Sequence, residues 1–309
     1  MLGTVIDEEE LPEGHKSGFV ALVGRPNVGK STLMNAFMKQ KIAIATPRAQ
    51  TTRNNQLGIL TQPDHQIVFV DTPGIMQKAM HKLDEVMLDT AVESLNDADV
   101  VVWLVDTTFA PNEDDARLAE MMSQSSGNLI LALNKNDEVP PEEVLERIDS
   151  YRQLVPAETP WLFFSALRGA GVDELHQLIV DALPEGPRYY PQDQITDIYT
   201  RDLAAEMIRE QVLMQIRDEI PHGVTVQVTS FKEDEKPLRI NATIFVERDS
   251  HKRIIIGANG AQIKQIGTAA RREISHLVGE AVYLDLWVKV APKWRRDEAQ
   301  LKRFGYLRE

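Results

Sequence analysis

The stretch GRPNVGKS at residues 24–31 sets two glycines ahead of a lysine and a hydroxyl, in the order G-x-x-x-x-G-K-[ST]. That order is built to hold phosphate. Gly24 and Gly29 free the backbone on either side of Arg25, Pro26, Asn27 and Val28 to turn N–H groups inward as an anion nest. Lys30 reaches the β and γ phosphates of a nucleotide. The Ser31 hydroxyl is a ligand for Mg²⁺, and Thr32 completes the first turn of a helix whose positive end faces the anion.

A second stretch, VDTPGI at 70–75, sets a carboxylate at the end of an apolar run. Asp71 belongs on the metal side of the phosphates, and the Gly74 N–H can reach the γ-phosphate. Thr72, Pro73 and Ile75 fill out the segment. Many phosphate-cleaving switch proteins carry Gln directly after this Gly to orient the attacking water. Here Ile75 stands there, so no side-chain base is identified. A third stretch, NKND at 134–137, selects the base. The Asp137 carboxylate can accept from both N1–H and N2–H₂ of guanine, a donor pair that adenine lacks. Asn134 can serve the other side of the base, and Lys135 can cover its ring plane. SAL (Ser165, Ala166, Leu167) can give a backbone N–H to the guanine O6. In QTTR at 50–53, a threonine completes the Mg²⁺ shell only when the γ-phosphate is present. Thr52 is the first choice and Thr51 the second, with Gln50 in the same switch loop. GTP, GDP and Mg²⁺ are therefore the expected ligands.

These residues need a scaffold that brings the ends of several strands together. FVALVG (19–24), QIVFVD (66–71), VVVWLVD (100–106), NLILALNK (128–135) and WLFFSA (161–166) are apolar throughout. Helical stretches at about 30 onward, 82–96, 113–124 and 171–183 separate them. This alternation predicts an α/β fold, a mainly parallel sheet with helices on both faces, and LGIL (57–60) adds a strand beside 66–71. GRPNVGKS, DTPG, NKND and SAL then sit at carboxyl ends of strands, where open α/β sheets bind ligands. ALPEGPRYYPQD (182–193), with three Pro and a Gly, reads as a linker. Beyond it the pattern predicts a helix over 196–219, strands at 224–230 and 239–248, two helices around IIIGANGAQIKQIG to about 277, and a strand at 281–290. That order, α-β-β-α-α-β, is a smaller α+β domain. The division expected is an acidic tail over 1–16, a nucleotide domain over 17–184, a linker over 185–195 and a second domain over 196–309 that ends in a basic tail.

Composition narrows the classes. The 309 residues include no Cys, which excludes disulfides, thiolate chemistry and Cys-based zinc. The N-terminal MLGTVIDEEELPEGHK has no apolar core and does not read as a signal peptide. The longest apolar run, VVVWLV at 100–105, is far short of the ~18 residues of a membrane span. The net charge of −13 argues against nucleic acid until its distribution is read. From residue 251 onward 12 basic residues stand against 6 acidic ones. A G-x-x-G loop between two helices brings backbone close to the phosphates of a single strand, with helix propensity sacrificed at both glycines. Gly257, Ala258, Asn259 and Gly260 form it. Ile255, Ile256, Ile263 and Ile266 suggest an apolar groove for unstacked bases. Lys252, Arg253, Lys264, Arg271 and Arg272 supply charge, because Ala258 and Asn259 supply none within the loop. Of the two tryptophans near the end, Trp287 is expected in the core, with stacking on a base as the alternative.

The chain resembles the Era family of bacterial GTPases. GRPNVGKST, AQTTR, DTPG, NKND and SAL stand in the family's order, and IIIGANGAQIKQIG is similar to the core of a type II KH domain. LWVKVAPKW (286–294) and LKRFGY (301–306) look like the family's C-terminal signature. The resemblance spans roughly 17–307. It implies GTP hydrolysis, binding of the 3′ end of small-subunit ribosomal RNA through the KH domain, a part in small-subunit assembly, and a monomer in the cytoplasm with weak peripheral contact at the inner membrane. It also implies a role for Asn27, which in this family is thought to hold a K⁺ ion against the phosphates. Slow, K⁺-stimulated hydrolysis is the expectation. The alternative is an RNA-binding assembly module that uses GTP as a structural ligand.

Overall fold

In a computed structural model the described residues are 11–48, 50–75, 79–217, 220–232 and 235–307. The first ten residues of the expected acidic tail, and the last two of the basic tail, lie outside them. Contacts divide the chain into two units, one holding Met1–Ile42, Thr52–Gln77 and Met87–Asp197, the other Ala43–Thr51, Lys78–Val86 and Ile198–Glu309.

In the first unit, apolar runs become strands β1 (Lys16–Val23), β2 (Gln56–Thr61), β3 (His65–Asp71), β4 (Val100–Asp106), β5 (Asn128–Asn134) and β6 (Trp161–Phe163). Among the described residues they form one sheet in the order β2-β3-β1-β4-β5-β6. Only β2 runs antiparallel, against β3. Helices α1 (Lys30–Met38), α2 (Lys82–Asp97), α3 (Glu113–Ser123), α4 (Val144–Arg152) and α5 (Val172–Ala182) cover it. Alternate side chains of the central strands, among them Ala21, Val23, Trp103 and Leu133, pack with Ala91 of α2, Leu118 of α3 and Tyr151 of α4. On β3, Phe69 stacks on Phe37 of α1 at 4.7 Å. Strand order reverses at β1, which pairs in parallel with both β3 and β4, so that β3 lies on one side and β4 to β6 on the other. The loop after β1 therefore opens at the switch point of the sheet, the usual ligand crevice of such folds.

Three boundaries differ from expectation. β1 starts at Lys16, inside the expected tail, because the Lys16 ammonium donates to the carbonyls of Val180 and Asp181 at the end of α5. His15 just before it is buried, with Nδ1 2.8 Å from the Gly186 carbonyl. Helix α4 was not expected at all. The expected linker is also built into the first unit. Gln66, fully buried in β3, accepts from the N–H groups of Tyr189 and Tyr190 and donates to the Tyr190 carbonyl at 2.8 Å. The Ile59 N–H of edge strand β2 donates to the Ile195 carbonyl at 2.9 Å.

The second unit contains α6 (Thr200–Gln215), β7 (Thr225–Lys232), β8 (Leu238–Val246), α7 (Asp249–Ile256), α8 (Ala261–Val278), β9 (Val282–Val290) and α9 (Glu298–Arg303). Helix α6 is shorter than expected because Ile216 leaves helical backbone at ψ 145°. The sheet order is β7-β8-β9, antiparallel then parallel. A parallel neighbour needs a long crossover, which α7 and α8 provide. Ile208 of α6, Ile244 of β8, Ile255 of α7 and Ile274 of α8 meet in the core between helices and sheet. Among the described residues no helix is long and apolar enough to cross a membrane.

Candidate nucleotide site and glycine loop

The phosphate loop is shaped by residues that leave it no freedom. Gly24 sits at φ 154°, and a Cβ there would stand 2.3 Å from the Leu104 carbonyl oxygen. Gly29, at φ 107°, precedes α1, and a Cβ would stand 2.2 Å from Asn134 Nδ2. Arg25 is pinned by Asp115 of α3, Nη1 to Oδ2 at 2.8 Å. Asp115 also closes a capping box with Asn112. The Lys30 ammonium is buried and donates to the carbonyls of Gly24 and Arg25 at 3.1 and 3.0 Å. Burial lowers its pKa to about 8, against the pull of the Asp71 charge.

Asp71 ends β3, fully buried, with Oδ2 accepting from Ser31 Oγ at 2.6 Å and from Thr52 Oγ1 at 3.2 Å. Ser31 and Thr52 hydroxyls are themselves 2.9 Å apart. Burial pushes the Asp71 carboxyl up, and the Lys30 charge and the two hydroxyls oppose it. Its other oxygen, Oδ1, is buried without a hydrogen-bond partner among the described residues. A carboxylate with a free buried oxygen, beside two hydroxyls, is an all-oxygen set of the kind that Mg²⁺ takes. The residues fit the ion. Thr51 points elsewhere, its Oγ1 2.7 Å from Thr46 Oγ1 and from the Arg48 carbonyl.

The DTPG segment lies against the phosphate loop. Thr72 donates to the Leu22 carbonyl at 2.8 Å. A Cβ at Gly74 would come 2.7 Å from the backbone of Pro26. The Ile75 N–H donates to the Gly24 carbonyl at 3.2 Å, and its side chain is buried in the cluster with Ala21, Val23 and Trp103. Ile75 thus serves the core.

At the NKND turn, Asn134 has two partners within the protein. Its Nδ2 donates to the Val28 carbonyl at 2.7 Å and its Oδ1 accepts from the Ala166 N–H at 2.9 Å. It is buried and ties the phosphate loop to the SAL turn. Lys135 adopts φ 70° and its ammonium meets Asp106 Oδ2 at 2.5 Å. Asp137 keeps a carboxyl held below the usual range, chiefly by the Ser165 hydroxyl. Arg168 Nε lies 3.4 Å from Asp137 Oδ2. Three partners were missed in the sequence. Asp106 carries the same signal as Asp71, a carboxylate that ends an apolar strand. Asp115 is the last residue of N-x-x-D before an amphipathic run. Arg168 had no signal beyond adjacency to SAL.

In the second unit the glycine loop follows α7. Gly257 has φ 73°, Asn259 φ 50° and Gly260 φ 77°, the last as N-cap of α8. Nothing lies within 4 Å of a Cβ built on Gly260, which faces open space, whereas one on Gly257 would stand 2.7 Å from Gln262 Cβ. Ala258, Asn259, Arg253, Lys264, Arg271 and Arg272 are exposed, and Lys252 is half-buried. The expected groove needs correction. Ile255 and Ile266 are fully buried in the core, leaving only Ile256 and Ile263 partly open beside the loop. The expectation of Trp287 in the core is also corrected. Trp287 is 64% exposed, whereas Trp294 is buried and donates to the Gly223 carbonyl at 2.9 Å. Strand alternation sets Val288 inward and therefore Trp287 outward.

Two family models match the chain, a 50S ribosome-binding GTPase over residues 19–135 and a KH domain over 219–295. GTPase Era of Halothermothrix orenii is 47% identical over 94% of this chain and 99% of its own length. GTPase Era of Lactobacillus delbrueckii subsp. bulgaricus is 50% identical over 94% and 96%. A crystal structure of Era in complex with MgGDPNP and nucleotides 1506–1542 of 16S ribosomal RNA superposes with a TM-score of 0.91, at 40% identity over 95% of this chain and all of that one. Together with the phosphate-loop and NKND motifs and the GTPase-then-KH order, these likenesses show that the chain belongs to the Era family of GTPases.

Proposed function

We propose that this GTPase is a switch whose GTP state governs binding of the 3′ end of small-subunit ribosomal RNA, and that it acts in small-subunit assembly. The observation that carries the reading is the Ser31–Thr52–Asp71 cluster, which joins the switch loop to the phosphate loop through the atoms that suit Mg²⁺. Ser31, Thr52 and Asp71 would hold that ion, which when bound neutralises charge on the phosphates. Gly24 to Thr32 and Gly74 cradle the phosphates, and Asp137 accepts from guanine with Lys135 and the Ser165–Leu167 turn around it. Gly257 to Gly260 approach the RNA backbone, with Lys252, Arg253, Ile256, Lys264 and Arg271 beside them. The relative solved with ribosomal RNA supports this partner.

Hydrolysis proceeds without a side chain after Gly74, because Ile75 is committed to the core. A K⁺ ion held by Asn27 would supply the positive charge that an arginine finger gives elsewhere, a contribution worth roughly 10³–10⁵ in rate where such fingers act. The test is single-turnover GTP hydrolysis in K⁺ and in Na⁺, with binding of a 3′-end RNA oligonucleotide measured in GDPNP and in GDP. Faster turnover in K⁺, lost in Asn27→Asp, is expected, as is tighter RNA binding in one nucleotide state. Equal rates in both salts would remove the K⁺ assignment. RNA affinity blind to the nucleotide would favour a module in which GTP is structural.

A further inference from the structure

Trp287 belongs to neither the nucleotide site nor the glycine loop, yet its ring is left exposed in the middle of a strand. Alternation along β9 turns Val282 and Val288 into the core beneath the helices, with Leu284 and Leu286 packed against it. Tyr283, Asp285, Trp287 and Lys289 therefore point the other way, and all four are exposed. They lie on the outer face of the β7-β8-β9 sheet, opposite α6, α7 and α8. The register carries this face onto β8, with Arg239 beside Tyr283, Asn241 beside Asp285 and Phe245 beside Lys289. One end of the face is closed. Phe304, just after α9, packs its ring on Phe245 at 4.9 Å, and Arg303 lies over the same ring. Beyond Phe245 the face stays open, and Tyr283 is 44% exposed.

The neighbours of the two rings decide what suits them. Tyr283 and Trp287 are four residues apart on one strand, hence roughly 13 Å apart on the same face. Asp285 and Asn241 stand between them, so the rings do not merge into the continuous apolar patch that marks the centre of a protein interface. They are separate flat surfaces with hydrogen-bonding groups between them. The charge is mainly positive: Lys232, Arg239, Lys289 and Arg303 outnumber Asp285 and Glu235 on this side. The Arg239 guanidinium lies over the Tyr283 ring at 4.9 Å, already stacked as a base would stack on the ring beyond it. Isolated aromatic faces with cations beside them take unpaired bases of any sequence, because every base has a π-face. A sheet that presents aromatics outward is one of the ways in which proteins hold single-stranded RNA.

We propose that this outer face is a second surface for single-stranded RNA, on which Trp287 and Tyr283 stack unpaired bases while Lys289 and Arg303 attract the phosphates. β9 is the edge strand of its sheet, and a Cβ on Gly267 of α8 would come 3.3 Å from Leu286 on its inner side. One strand edge thus separates this face from the helices of the glycine loop. The proposal rests on the reading of the chain as an RNA-binding protein and adds a surface that the glycine loop does not include.

The test uses the full-length protein with GDPNP, a fluorescent single-stranded RNA and a fully paired duplex of the same sequence. Trp287→Ala should weaken the single strand by about tenfold and Tyr283→Ala by about threefold. Trp287→Phe, which keeps a flat ring, should retain most of the affinity, whereas Trp287→Leu should lose as much as the alanine variant. Duplex affinity should not change, because its bases are not free to stack. Both residues are exposed, so thermal stability should be unaffected and the losses attributable to binding. RNA carrying 5-bromouracil should crosslink on irradiation to the peptide 282–290, and the crosslink should vanish in Trp287→Leu. Unchanged single-strand affinity in both Trp287→Ala and Tyr283→Ala overturns the proposal. So does full affinity in Trp287→Leu, which would mark the ring as an apolar contact for a protein partner. Gly260→Asp separates the two RNA surfaces. A loss in Trp287→Ala with none in Gly260→Asp would remove the glycine loop and leave this face standing, and the reverse pattern would remove this face alone.

Discussion

Gly29 and Gly260 end two glycine loops in the same way. Each has positive φ, and each is the N-cap of a helix that follows at once, α1 and α8. Their surroundings are opposite. A Cβ on Gly29 would meet the Asn134 amide at 2.2 Å, whereas one on Gly260 would meet nothing within 4 Å. The first loop needs glycine because protein already fills the space. The second needs it for its backbone angle and for whatever comes close from outside. The nucleotide loop is thus held in shape by its own fold, with Arg25 on Asp115 and Val28 on Asn134, while the loop after α7 is open at its Gly260 end. A preorganised cradle suits a small, invariant ligand, and an open loop suits a long flexible one that brings its own structure.

This contrast can be broken by substitution. The largest effect expected is from Gly29→Ala, which must push Asn134 aside and should lower GDP affinity by at least about 100-fold, given the usual sensitivity of phosphate sites to misplacement. Titration with a fluorescent guanine nucleotide checks it, with Gly260→Ala as the silent counterpart. Retained affinity in Gly29→Ala would show that the loop is not held as tightly as its contacts imply. Next comes Gly260→Asp, in which a carboxylate meets RNA phosphate in otherwise open space. RNA affinity should fall by about tenfold with nucleotide affinity unchanged, and equal affinity would remove the loop from the RNA interface.

A smaller effect follows from the buried Lys30, whose pKa is near 8. Phosphate binding requires the protonated amine, so in the ligand-free protein the binding-competent form declines above that pH. GDP affinity should be flat below about pH 7.5 and weaken by up to about tenfold per unit above 8. A flat profile to pH 9 would place the amine's pKa well above 8. The smallest effect belongs to His65 and His176, whose Nε2 atoms are 3.2 Å apart. Burial lowers both pKa values below the ordinary histidine value of 6.5. The unfolded chain then binds more protons in that range, so their contribution to stability is complete above pH 6.5 and is lost as pH falls through the folded values. A drop of about 2–4 °C in Tm between pH 7 and 5.5 is expected, flattened in His176→Leu. A profile that is the same in the variant would take the pair out of account.

Much of this was legible in advance, for reasons that differ by residue. Apolar strands ending in Asp71 and Asn134 announced both their elements and their ends, since fully buried parallel strands admit few other sequences. What was misread depended on partners. The tie that Asn134 makes had no sequence signal, since only the fold brings Val28 and Ala166 to it. Ile255 and Ile266 were apolar on either reading, and helical phase turned them to the core rather than to a groove. Trp287 was legible and overlooked, because Val282, Leu284, Leu286 and Val288 alternate with it along β9.

The fit of residues 185–197 against the first sheet bears on where this chain can be divided. Gln66 is completely buried, and its amide is satisfied largely by Tyr189 and Tyr190. Tyr189 also packs its ring on Phe19 at 5.1 Å. A truncation after Pro184, where composition suggests a domain end, would strand that amide in an apolar interior and bare the outer edge of β2, where Ile195 now accepts from Ile59. Such an edge recruits strands from other copies. The natural cut lies near Asp197, and a fragment ending there carries its own edge guard into solution.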